Sequence, residues 1–302
     1  MLKAMERLKQ IITETVRGVL NEYAGVFYGA EELAKEIISQ LRRLGWDKNP
    51  PEKKVLPIPV WWAPLYRIYV TVEKSLKVRA YYNLYTMSKN CMPVISISSS
   101  VISEPNETLI PTIVHELTHA YEDCQRFRNG SKSLYDIASD RGHQKYWTYN
   151  LNTDSDEKDE YLDDVFTFAN LSSSFEKNAR TATLLPLLMN SKKEFKTTDD
   201  AILFLDETEP FKKLRFLKYF TEDILHEDSK EEQQIWLDAF SKITNLKFRS
   251  YEHLKKYCRQ VYMKHEKQVN DAMRKAINYY FQKKNGNTAS RIDNMINNGG
   301  RF

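Results

Sequence analysis

Apolar residues recur at helical spacing through Leu2, Met5, Leu8, Ile12, Val16, Val19 and Tyr23, and again through Leu33, Ile37, Ile38 and Leu41. Both patterns predict amphipathic packing helices, over residues 2–24 and 31–43. Asn49-Pro50-Pro51 then breaks the helical period. The stretch that follows is aromatic and β-branched, and predicts strands of one sheet over residues 55–62, 66–72, 78–86 and 92–100. In the last of these, Ile95 and Ile97 alternate with Ser96 and Ser98, and Pro93 has no N–H to give to a ladder, so an edge position is expected. Helical spacing returns from Thr108, the expected N-cap, which would put Pro111 in the first turn where a missing N–H costs nothing. Asn129-Gly130 is the expected stop. Beyond an acidic run over residues 153–164, a helix is predicted at 172–180. The pattern is then helical almost throughout 198–284, for example Ile235, Leu237, Phe240 and Ile243, then Tyr257, Val261, Val269, Met273, Ile277 and Tyr280.

This succession predicts an α+β fold with packing helices over residues 1–48, a small mostly antiparallel sheet with two functional helices over 49–195, and an all-helical lobe over 196–284. A flexible tail is expected over 285–302, where Gly286, Gly299 and Gly300 stand among asparagines. Of the 302 residues, 41% are hydrophobic, enough for a sizeable core. The net charge is only +4, although residues 251–302 hold seven Lys and four Arg against four acidic residues. A solvated helix face explains that excess more simply than a nucleic-acid surface does. The three cysteines, Cys91, Cys124 and Cys258, are odd in number and far apart, which suggests no disulfide framework. Lys3, Glu6, Arg7 and Lys9 interrupt the apolar run that a signal peptide requires, and no stretch reaches the ~18 apolar residues of a membrane span. The expected setting is intracellular, with association with a virion also compatible.

The candidate chemistry lies in His115-Glu116-Leu117-Thr118-His119. Residues four apart on a helix stack on one face, so His115 and His119 can offer both imidazoles to one Zn²⁺. Glu116 falls about 100° further round, beside the metal and not on it. There it can activate a zinc-bound water as general base and later protonate a leaving amine. Ile110, Ile113, Val114, Leu117, Tyr121 and Cys124 occupy the opposite face, so one side of the helix is expected in a core and the other in a cleft.

A catalytic zinc takes three protein ligands. Glu122 and Gln125 stand where a metzincin would have its Gly and third His, which excludes that class. Glu176 is the expected third ligand. Ala179 beside it would let two helices approach closely, and Arg180 one turn on could hold its carboxylate or a substrate oxygen. The spacing Ser173-x-x-Glu176 is also a capping box, in which the Glu would only satisfy a backbone N–H. His143, Glu122, Glu160, Asp163 and Asp164 are the other residues of ligand chemistry. His226, His253 and His265 lie in the helical lobe and are read as ordinary side chains.

Over roughly residues 50–190 the chain resembles the gluzincins, in particular the short phage and mobile-element forms called minigluzincins. The resemblance is carried by His115-Glu116-Leu117-Thr118-His119-Ala120 and by Glu176-Lys177-Asn178-Ala179-Arg180. It implies a zincin-like catalytic domain, Zn²⁺ held by His115, His119 and Glu176, and Glu116 as base and acid. The Asn-Glu-x-x-Ser-Asp signature of thermolysin-like members is absent. Arg180, His143, Tyr146 and Tyr149 are the candidates for stabilising an oxyanion.

The expected function is a zinc metalloendopeptidase acting on a protein or peptide, with a further protein partner for the helical lobe. The alternative is a structural or interaction protein, such as a virion or host-interaction component, that keeps a zincin fold. Glu116 favours the enzyme, since a scaffold needs no general base. Metal-dependent hydrolysis of a non-peptide bond uses the same ligand set.

Overall fold

The computed structural model describes residues 29–298, apart from 132–159 and short stretches at 50, 52–54, 61, 64–65, 75, 77, 88–89, 227–228 and 245. The helix predicted over residues 2–24 lies outside the described residues. Helix α1, Ala30–Arg43, buries the stripe Ala30, Ala34, Ile37, Ile38 and Leu41. Glu31 and Glu32 in its first turn and Arg42 and Arg43 in its last complement the helix dipole. It ends in a Schellman motif: Gly45 at φ +71 donates to Arg42 O and Trp46 donates to Leu41 O.

Four strands follow: β1 Val55–Pro59, β2 Arg67–Glu73, β3 Ala80–Met87 and β4 Asn90–Ser98. Their order is β1-β2-β4-β3; β1 is antiparallel to β2, β2 parallel to β4, and β3 antiparallel to β4. The sheet is therefore mixed, and β4 lies inside it while β3 forms the edge, against the expectation from Pro93. The register explains this, because pairing with β2 begins only at Tyr69↔Val94 and leaves Pro93 just outside that ladder. Ser96 and Ser98, which suggest a wet face, are buried, and their hydroxyls pair with Thr71 and Ser100, each at 2.8 Å.

After the short α2, Ser99–Ile102, the motif helix α3 spans Asn106–Arg128. It begins before Thr108, at Pro105-Asn106, so Pro111 falls in its second turn and not its first. Arg42 accounts for the earlier start. Its guanidinium donates to Ile102 O at 3.1 Å, Glu104 O at 2.6 Å and Asn106 Oδ1 at 2.8 Å, which holds the entry segment against α1. The Thr108 hydroxyl donates back to Pro105 O at 2.9 Å instead of capping. Gly130, at φ +66, closes the helix at the expected place.

One face of the sheet, α1 and α3 share a core that includes Ile37, Leu41, Ile58, Ile68, Ile95, Ile97, Ile110, Ile113, Val114 and Leu117. Each fully buried Ile or Leu contributes about 1.5–3 kcal/mol.

The remaining helices are α4 Glu160–Ser172, α5 Ser174–Ala182, α6 Leu184–Asn190, α7 Thr198–Asp206, α8 Glu209–His226, α9 Lys230–Thr244 and α10 Tyr251–Asn298. They enclose two further cores. Phe168 of α4 meets Phe220 of α8 and Phe240 of α9, with Trp236, Leu254 and Cys258 around them. Leu184, Phe195, Leu205, Phe211 and Ile277 form the other. Packing thus joins α4 to the helical lobe, while α5 and α6 lie against both α3 and α10. Helix α10 continues through Gly286 to Asn298, where the sequence suggests a tail. Cys124 and Cys258 are buried in different cores. Among the described residues, no helix is long and apolar enough to cross a membrane.

Candidate metal centre

Helix α3 stacks His115 and His119 one turn apart, with ring centroids 4.7 Å apart at 90° and Nε2 atoms separated by 3.1 Å. From α5, Glu176 brings Oε2 to 3.5 Å from His115 Nε2 and Oε1 to 3.4 Å from His119 Nε2. Metal–ligand bonds of about 2.0–2.2 Å in a tetrahedron place neighbouring ligand atoms roughly 3.3–3.6 Å apart. The two histidine nitrogens, and the carboxylate oxygen nearest to each, are spaced on that scale, so one ligand atom from each of the three residues can reach a single ion. Two imidazoles and a carboxylate are also a donor set that suits Zn²⁺.

Several local features deliver Glu176 to this place. Ser173 caps α5 by accepting the Glu176 backbone N–H at 3.4 Å. The other half of a capping box does not form, because the Ser173 N–H donates to Asn170 O at 3.1 Å. The Glu176 side chain is thereby left to the site. Arg180, one turn on, donates from Nη2 to Glu176 Oε2 at 2.7 Å and holds the carboxylate. Ala179, three residues beyond Glu176, is fully buried.

Glu116 stands next to the donors with its carboxylate almost wholly buried. Burial raises its pKa above the ordinary value, as does Glu176; His115, His119 and the Tyr82 backbone N–H act against that rise without cancelling it. Burial would also raise Glu176, but hydrogen bonds from His115 and His119 hold it well below the usual carboxylate range. For His119, burial opposes the charged ring, yet the hydrogen bond to Glu176 and the charges of Glu176, Glu116 and Glu122 raise it overall.

The structure gathers His115, His119 and Glu176, the one group of three potential ligand residues among the described residues. Glu122 is not part of it; its Oε1 accepts from Asn178 Nδ2 at 2.7 Å. Asp163 and Asp164 lie on α4 outside the group. His143, Tyr146 and Tyr149, and the side chain of Glu160, lie outside the described residues. The α3 helix is more enclosed than one apolar stripe implies, since Thr118, His119 and Asp123 are buried as well. The reason is that α5 and α6 cover its second side.

Three neighbours of the site carry no local sequence signal. Tyr82 reaches Glu116 through its backbone and Asp123 through its phenol, which donates to Oδ2 at 3.1 Å. Asn178 finds Glu122 across 56 residues of chain. His265 of α10 is buried near Lys177 and Arg180.

Burial first, then Lys177, Arg180 and Lys264, push the His265 imidazole down to about 4. It is neutral when folded and gains a proton near its ordinary value when unfolded. The unfolded chain therefore binds more protons between about pH 6.5 and pH 4, and stability should fall as pH drops through that window. Urea unfolding at pH 7 and pH 4.5 should show a loss of about 2–3 kcal/mol that is largely absent in His265→Gln. An equal loss in the variant would assign it to other groups.

Comparison with protein-family models, with curated proteins and with solved structures finds no match to this chain.

Proposed function

We propose that this chain is a zinc-dependent peptidase whose metal is held by His115, His119 and Glu176 and whose proton carrier is Glu116. The observation that carries the reading is the convergence of His115, His119 and Glu176, the last 57 residues beyond the second His, with one ligand atom of each within 4.8 Å of the others. A zincin-like layout also supports it: a small sheet with an antiparallel edge strand, then the HExxH helix, then a glutamate helix.

When bound, zinc supplies Lewis-acid polarisation of a scissile carbonyl and of the attacking water. Glu116 takes the proton that the water gives up and returns it to the leaving amine. The Tyr82 backbone N–H holds its carboxylate in place beside the donors. An extended peptide is the substrate that suits this site, because edge strand β3 runs past Glu116 at Tyr82 and can pair with one more strand. This role falls to β3 and not to β4, which is enclosed on both sides.

The purified protein should carry about one Zn²⁺ per chain by elemental analysis. His115→Ala/His119→Ala should lose it. Full zinc content in that double variant would overturn the site.

A further inference from the structure

Apart from the two histidines, the contacts that fix Glu176 act within its own helix: Ser173 caps α5, and Arg180 grips the carboxylate from one turn away. Neither sets where α5 lies along α3, and that placement decides whether two histidines and a glutamate share one ion. A slide of α5 by a single residue is about 1.5 Å, several times the ~0.5 Å that a metal constellation tolerates.

Besides the donors themselves, a side-chain hydrogen bond joins the two helices, from Asn178 Nδ2 to Glu122 Oε1 at 2.7 Å. It is placed for the purpose. Glu122 stands three residues past His119 on α3, and Asn178 two residues past Glu176 on α5, so the bond lies within about one turn of the donors on α3 and about half a turn on α5. Its acceptor is a largely desolvated carboxylate, and a bond to such a group is directional and costly to break.

We infer that Glu122 and Asn178 are a positioning pair, which fixes α5 on α3 and thereby sets the third donor of the metal centre. The inference rests on the metal-centre reading above. Neither residue touches the metal or the reacting atoms; both act through Glu176 and His119.

The test is an exchange of partners, read as zinc affinity by chelator competition at pH 8, where carboxylates are ionised. Asn178→Asp places two carboxylates against each other and should weaken zinc binding by about 10–100-fold, the range for groups that orient ligands. Adding Glu122→Gln to it restores a donor facing an acceptor, with the roles reversed, and should bring affinity back to within a few-fold of the wild type. A loss of packing alone would not be repaired by a second substitution at that pair.

Wild-type affinity in Asn178→Asp, with zinc still lost in His115→Ala/His119→Ala, would overturn the pairing and leave the metal centre standing. No zinc binding by the wild type would overturn the metal centre and the inference with it. If Asn178→Asp does not fold, the double variant decides: recovered affinity supports the pair, and affinity still lost overturns it.

Discussion

Glu116→Gln should keep its zinc and lose about 10²–10⁴-fold in the rate of peptide hydrolysis, the range that general acid–base catalysis supplies. The side chain stands beside His115 and His119 but outside the donor group, so metal content should not follow activity. Glutamine fills the same buried space and can accept the Tyr82 N–H as glutamate does, so the fold has no reason to change. What it lacks is a basic oxygen to hold the proton between water and leaving amine. Steady-state kinetics with elemental analysis on the same preparation reads both quantities. Undiminished turnover would mean that Glu116 is not the base. Loss of zinc together with activity would mean that it is a ligand.

The second large effect is expected at Glu176. Glu176→Gln exchanges an anionic oxygen for a weak neutral one and leaves Arg180 facing an uncharged amide, so zinc affinity should fall by well over 100-fold, beyond the ~10–100-fold of groups that only orient ligands. The fold should persist, because Glu176 contributes nothing to the three apolar cores. Ser173→Ala should do the reverse. It removes the cap of α5, costs about 1 kcal/mol of stability, and leaves metal affinity near that of the wild type. Chelator-competition titrations and urea unfolding of both variants separate the two roles. Wild-type zinc affinity in Glu176→Gln would show that the carboxylate is not a ligand.

The local features of this site are readable in the residues themselves. The four-residue spacing of His115 and His119 fixes their stacking on any helix, and the apolar positions Ile110 to Leu117 fix which side turns inward. Glu176 is readable as a candidate only, since its spacing from Ser173 suits a cap as well as a ligand. Whether the second half of the capping box forms depends on where the Ser173 N–H goes, and it goes to Asn170 O in the preceding turn.

Strand order is not readable in the same way. Pro93 suggests an edge, but whether its missing N–H matters depends on where the neighbouring ladder starts, a property of β2 and not of β4. The start of α3 escapes for a similar reason, because the guanidinium that organises it comes from Arg42, over 60 residues earlier. Tyr82, Asn178 and His265 reach the site only through tertiary packing. The helical lobe is legible in its periodicity, while its sharing of α4 to α6 with the site follows from which aromatic faces meet, as Phe168 meets Phe220 and Phe240.

The central claim is tested most directly by a peptide-library digest read by mass spectrometry, with the protein as purified, after metal removal, and after return of one equivalent of zinc. Internal peptide bonds should be cleaved by the first and third preparations and left intact by the second. A zinc-loaded protein that cleaves no peptide bond in a broad library would contradict a peptidase and turn attention to non-peptide substrates or to a binding role for the fold.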